Sequence, residues 1–233
     1  MSLIRRPSAQ RGHADHGWLD TRHSFSFAHY FDPAHMGYRS LRVINEDMIA
    51  GGGGFEPHGH RDMEIITYMI EGALEHRDST GEHAVIRQGE VQRMSAGTGV
   101  RHSEVNASAE DRVRLLQIWI LPDQPGRTPG YQQKLFEDRE KRNRLCLIAA
   151  ADGRDGALDI GQDADVFAAV LQAGRELRHV LRPGRGLWLQ MVSGALTTQG
   201  QTLSAGDGAS IEDVATVTLS AVEDAEFLLF DLA

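Results

Sequence analysis

His58 and His60 stand one residue apart in "EPHGHRDMEIITYMIEG", and His102 and Glu104 stand one residue apart in "MSAGTGVRHSEVN". On an extended strand, residues i and i+2 project to the same face, so each pair aims two side chains at one point. On a helix the same spacing would turn them about 200° apart. The glycines and proline of "GGGGFEPHGH" exclude a helix, and "MEIITYMI" reads as a strand. Three imidazoles and one carboxylate from two strands make a four-ligand set that leaves positions open on an octahedral ion. That mixture suits iron, nickel, cobalt, copper, manganese or zinc, and the lack of a thiolate argues against a closed structural zinc site. An H-x-H pair alone is a weak signal; the matching H-x-E in the same half, each pair preceded by a Gly-rich turn, is what makes the metal reading.

The elements that must position these residues are strands. "LRVIN", "MEIITYMIEG", "HAVIRQGE", "LLQIWILP", "RLCLIAA", "GLWLQMVSG", "TVTLSAV" and "EFLLFDL" are short β-type runs separated by turn residues, the pattern of a sandwich or barrel. Helical periodicity is confined to "YQQKLFEDREKRNR", which reads equally as a charged loop. The two halves repeat at an offset of roughly 120 residues: "IEGALEH" matches "VSGALTT", "RQGEVQRMSAG" matches "SAGDGASIEDV", and "LLQIWILP" matches "FLLFDLA". The expectation is an all-β chain of two similar β-barrels in tandem with few short helices. Residues 1–122 would form the metal-binding barrel with its leading segment, 123–160 a linker and the start of the second barrel, and 161–233 a barrel without a metal. Ten of the eleven histidines precede Arg112, and the offset carries His58 and His60 onto Val180 and Arg182. His179 therefore reads as a solitary polar residue.

These stretches resemble the cupin motifs. Gly52, five residues, His58, one residue, His60, three residues and Glu64 lead to Gly72; Gly99, two residues, His102 and three residues lead to Asn106. The spacing before Gly72 is one residue longer than in the first motif, and Gly97 stands where the second has proline. More specifically, "RGHADHGWLDTRHSFSFAHYFDPAHMGYRSLRVIN" with "HGHRDMEIITYMIEG" and "SAGTGVRHSEVN" resembles the pirin family, particularly its bacterial quercetinase-like members. The resemblance is specific from Arg11 to about Pro122. It implies a tandem cupin fold, its barrels jelly-roll-like, and one ion, commonly iron, held by His58, His60, His102 and Glu104. By the same analogy Glu64 lies just outside the ligands. Unbroken strand parity would put it on their face, where it can fix a ring by a hydrogen bond.

The resemblance also implies oxygenase chemistry on a flavonol such as quercetin, with an aromatic substrate and dioxygen as partners, carbon monoxide as a product, and Glu104 as both ligand and base. The alternative it implies is a metal- or redox-sensing regulator acting through a protein partner; hydrolysis or isomerisation on the same ligands is a third reading. A net charge of -9 argues against direct nucleic-acid contact. No apolar run approaches the roughly 18 residues of a membrane span, so a soluble, cytoplasmic protein is expected; a monomer is expected as well. Cys146 is the single cysteine, in an apolar strand, and reads as an inert thiol. The leading histidines and aromatics (His13, His16, Trp18, His23, Phe25, Phe27, Phe31) read as packing of the first segment against the barrel.

Overall fold

A computed structural model describes residues 2–233, which divide into two compact units. One comprises Gly12–Leu135 with Ile160–Gln162. In it a seven-stranded sheet runs in the order Gly130–Leu135, Glu90–Ser95, Glu64–Glu71, Val113–Ile120, Leu41–Ile49, Leu19–His23, Gly12–Asp15. A four-stranded sheet runs Gly54–His60, Val100–Asn106, Ala73–Asp78, His83–Arg87. All pairings here are antiparallel. The two sheets meet through Met69, Val113 and Leu115 of the larger and Leu74 and Ile86 of the smaller. Each such side chain fully removed from water contributes about 1.5–3 kcal/mol.

The other unit comprises residues 2–11, Phe136–Asp159 and Asp163–Ala233. Its seven-stranded sheet runs Ser2–Arg6, Gly208–Glu212, Gly186–Ser193, Ala225–Leu232, Ala164–Leu171, Cys146–Ala150, Leu158–Asp159, and its four-stranded sheet Glu176–Val180, Thr216–Ala221, Ala195–Thr198, Gln201–Ser204. The strand order repeats that of the first unit, as the internal matches predict, except that Leu158–Asp159 pairs parallel with Cys146–Ala150 where Gly12–Asp15 and Leu19–His23 run antiparallel.

Three segments sit differently from the sequence reading. Ser2–Arg6 does not join the first barrel; it pairs antiparallel with Gly208–Glu212, Ser2 opposite Glu212 and Arg6 opposite Gly208. The charged connector is not a linker throughout: Gly130–Leu135 pairs with Glu90–Ser95 and extends the first barrel's sheet. Ile160–Gln162 also belongs to that barrel, where Asp123 N donates to Gly161 O at 2.7 Å and Gln162 Nε2 to Leu121 O at 2.8 Å. Of the stretch Tyr131–Arg144, which reads equally as helix or charged loop, only Asp138–Lys141 is helical, opened by a capping box between Glu137 and Glu140.

The interiors differ. In the second unit one continuous apolar cluster fills the barrel, with Leu189, Leu196, Val217, Leu219, Phe227 and Leu229 among its members. In the first unit the buried apolar side chains, among the described residues, include a cluster around Ile49 and Met69 and a separate one around Ile65 and Met94. Inward polar side chains, among them Asp47, Thr67, Glu104 and Gln117, are buried in that unit. Register also corrects the repeat alignment. His102 pairs with His58 in the first barrel, and Val217 pairs with His179 in the second, so His179 rather than Val180 stands where His58 does. It is not solitary, since its Nε2 lies 2.7 Å from Asp231 Oδ2, a carboxylate also held by Arg185. Among the described residues no helix is long and apolar enough to cross a membrane.

Candidate metal centre

The strands Gly54–His60 and Val100–Asn106 pair so that His102 lies opposite His58 and Val100 opposite His60. The three rings converge with centroids 4.8 Å (His58 to His60), 4.5 Å (His58 to His102) and 4.8 Å (His60 to His102) apart. Gly54 permits the close approach of the strands, because a Cβ there would stand 2.6 Å from the backbone oxygen of Glu104. His58 Nδ1 lies 2.8 Å from Glu56 O. A carbonyl only accepts, so Nδ1 carries a proton, and in the neutral ring it is Nε2 that keeps the lone pair. That Nε2 is 3.1 Å from His102 Nε2. Two nitrogens each about 2.0–2.1 Å from one ion at ordinary coordination angles are separated by roughly 3 Å, so the spacing suits a shared cation.

Both neighbours of His58 are ready to donate electron pairs. Burial, then the charge of His58, pushes His60 down to about 4. Burial first, then the imidazoles around it, pushes His102 down to about 2. Each ring is therefore neutral near pH 7.

Glu104 follows a register shift in the strand and lies opposite Phe55. Its carboxyl group is buried; Gln117 Nε2 donates to Oε2 at 2.9 Å, and Oε1 has no hydrogen-bond partner. Burial first, then the negative charge of Asp47, pushes its pKa up to about 8. A buried acceptor left unmatched costs free energy, and a cation is the partner that would relieve it. The three histidines form one tight cluster of donor atoms, while Glu104 clusters with His102 and His76, so His102 is common to both. The inward nitrogens and the unmatched oxygen fit a divalent transition metal.

Glu64 does not stand where strand parity would put it. The chain turns at Arg61–Met63, with Asp62 at a φ of 49°, and Glu64 opens a strand of the other sheet. Its Oε2 accepts from Ser95 Oγ at 2.6 Å, and the backbone of Gly161 also bonds it. It makes no hydrogen bond to the three histidines. Next to it, Ile65 faces the cavity instead.

That cavity has a volume of about 1140 Å³ and is lined by His58, His60, His102 and Glu104. The leading segment supplies more of its wall than packing alone requires. Trp18 meets Phe55 edge-on at 5.2 Å, Phe27 meets Trp119 edge-on at 5.2 Å, and these four rings all border the cavity together with His13, His16 and His23. Of the other aromatics in that list, Phe25 is buried in the core and Phe31 is 72% exposed. Asp47 is a second carboxylate on the wall; Thr21 Oγ1 donates to it at 2.5 Å, and burial pushes its pKa up to about 6. The signal for it was present in "LRVINEDMI", where Asn45 and Asp47 occupy alternate positions of an otherwise apolar strand face.

The sequence profile described as Pirin matches residues 5–120, and one described as the quercetinase C-terminal cupin domain matches residues 147–232. The chain is 45% identical over 230 residues to a quercetin 2,3-dioxygenase of Escherichia coli K12, covering 99% of this chain and 98% of that protein. It is 43% identical over 232 residues to a pirin-like protein of Caulobacter vibrioides, covering 99% and 100%. The crystal structure of E. coli YhhW superposes with a TM-score of 0.97 at 44% identity, covering 100% of this chain and 98% of that one. The same bacterial pirin in complex with nickel(II) superposes with a TM-score of 0.95 at 44% identity, covering 99% of each chain. With two cupin barrels, a cluster of inward histidines in the first, and similarity of this extent along its length, the chain belongs to the pirin family.

Proposed function

We propose that this protein is a metal-dependent dioxygenase that opens a flavonol-type substrate with release of carbon monoxide. The observation that carries the reading is the meeting, in one cavity of about 1140 Å³, of three imidazoles with inward donor atoms and a buried carboxylate lacking a partner on Oε1. The relatives named quercetin 2,3-dioxygenase support an oxygenase. The cavity is slightly larger than most small-molecule sites and has room for a polyphenol of about twenty non-hydrogen atoms.

In this reading His58, His60, His102 and Glu104 hold the ion, which we take to be iron. Bound there, it supplies Lewis acidity toward an acidic hydroxyl group and redox access to dioxygen. Glu104 would hold the ion through Oε1 and, on loosening from it, take the proton of the substrate's ring hydroxyl there, while Gln117 fixes Oε2. The rings of Trp18, Phe27, Phe55 and Trp119 give a planar aromatic substrate apolar edges to lie against and keep water from the reacting carbon. One flavonol and one dioxygen are consumed, both oxygen atoms remain in the ring-opened ester, and one ring carbon leaves as carbon monoxide.

The test is to load the protein with iron(II) or nickel(II), add quercetin with and without air, and follow both the flavonol's visible absorbance and carbon monoxide in the headspace. Oxygen-dependent loss that disappears in His102→Ala supports the reading. Full metal occupancy with no oxygen-dependent loss overturns it.

A further inference from the structure

Outer partners of metal-bound histidines commonly decide which ring nitrogen is free to bind. Glu64 does not fill that role here, and nothing in the motif spacing marks what does. The strand Ala73–Asp78 pairs with Val100–Asn106 on the side away from His58, placing His76 opposite Glu104 and Asp78 opposite His102. His76 is 0% exposed. Its ring lies over Tyr131 at 5.0 Å between centroids and against His102 at 5.2 Å.

Hydrogen-bond directions can be followed along this chain of groups. Asp78 Oδ1 accepts from Thr80 N at 2.8 Å, Thr80 Oγ1 at 2.6 Å and Glu82 N at 3.2 Å, which clamps the carboxylate to the following turn. Its Oδ2 lies 3.1 Å from His76 Nε2. The carboxylate only accepts there, so His76 Nε2 carries a proton. Gln92 Nε2 lies 3.1 Å from His76 Nδ1. An amide nitrogen only donates, so Nδ1 offers a lone pair. Burial holds the ring neutral, so with Nε2 protonated toward Asp78 it is Nδ1 that is bare and the Gln92 amide nitrogen that donates to it. The same His76 Nδ1 is 3.5 Å from His102 Nδ1. Two lone pairs would repel across that gap, so His102 Nδ1 carries the hydrogen and its Nε2, on the His58 side, is bare.

We propose that His76, held by Asp78, is a positioning residue that fixes the tautomer and ring orientation of His102 so that Nε2 is presented to the ion. This rests on the metal reading of the three-histidine cluster and is independent of the reaction carried out there. A buried His–Asp pair that merely fills space would leave the tautomer of His102 and its metal affinity unchanged when replaced by a ring of similar size.

The experiment has two arms. In the first, nickel(II) affinity is measured by competition with a chromophoric chelator for the intact protein, His76→Phe, His76→Gln and, as a control away from the cavity, His83→Gln. A 10- to 100-fold loss is expected in His76→Phe. Partial recovery is expected in His76→Gln, whose side-chain oxygen can accept from His102, and His83→Gln should match the parent. A folded His76→Phe that binds nickel(II) within threefold of the parent, with an unchanged nickel absorption spectrum, overturns the proposal. The second arm does not depend on any variant folding: imidazole 15N shifts of the metal-free parent should report a protonated Nδ1 on His102. A protonated Nε2 there overturns the proposal as surely, and a parent that takes up no nickel(II) overturns it together with the metal reading. Loss of affinity in His76→Phe in a protein that never consumes quercetin would leave the positioning role standing and count only against the dioxygenase.

Discussion

The proton balance of metal uptake at Glu104 tests the chemistry of the site most directly. Without an ion, burial and the nearby charge of Asp47 push this carboxyl group up to about 8. A coordinating carboxylate has to be ionised. His60, at about 4, and His102, at about 2, are already neutral at pH 7 and have no proton to give up. Uptake at pH 7 should therefore release close to one proton from Glu104. Apparent affinity at pH 7 should lie about tenfold, or about 1.4 kcal/mol, below its plateau above pH 9. The sign for folding is opposite to that of a salt-bridged carboxylate. A raised folded pKa means that the native state holds the proton more tightly, so the metal-free protein loses Glu104's share of stability as pH rises from about 4.5 to about 8. Calorimetric titration with nickel(II) in buffers of different ionisation enthalpy counts the protons. Glu104→Gln should abolish both that release and the slope between pH 7 and 9. Uptake with no buffer-dependent heat, or a slope that survives in Glu104→Gln, would refute the reasoning.

Three further outcomes follow from the same geometry. Asp47→Asn should stabilise the metal-free protein at pH 7.5 by up to about 3 kcal/mol and leave it unchanged at pH 3.5. Burial raises Asp47 from 3.8 to about 6, and the cost accrues as pH climbs between those values; thermal melts at both pH values check it. Asn106→Ala should cost about 2–4 kcal/mol in urea unfolding, because Nδ2 donates to Ile49 O at 3.0 Å, Ala50 O at 3.1 Å and Asp111 O at 2.8 Å, and Oδ1 accepts from Ser108 N. Gly54→Ala should weaken nickel(II) binding at least severalfold and cost about 1–3 kcal/mol in the same unfolding assay, since its Cβ would meet backbone atoms of Glu104 and Val105 at 2.6 Å.

The fold was legible where local chemistry repeats. Alternation and turn residues mark all eight quoted strands, and the duplicated "EGAL" and "SGAL" turns announce the second barrel. His58, His60 and His102 were legible because a period of two needs only an unbroken strand. Glu64 was not, because the turn at Asp62 resets the parity and hands the chain to another sheet. Glu104 lies past a register shift, which no spacing reveals, and so clusters with His76 rather than with His58 and His60. His76 and Asp78 resemble any charged strand residues in "LEHRDST" until pairing sets them against Glu104 and His102. The placement of Ser2–Arg6 is a long-range event for which "SLIRR" carries no local signal.

Pairing Ser2–Arg6 with Gly208–Glu212 ties one strand to a partner that is synthesised roughly two hundred residues later. At a synthesis rate of about 5–20 residues per second, the leading strand waits roughly 10–40 s for its partner to be translated. Throughout that interval an extended segment with an exposed Ile4 has its backbone donors and acceptors free for whatever strand drifts near. Arg5 and Arg6 give it charge against such encounters, and Asp207, which in the finished protein receives Arg5 at 2.6 Å, arrives just ahead of the strand that captures it. Ribosome-bound chains halted before residue 207 should accordingly leave residues 2–6 open to protease, and the released, folded protein should protect them.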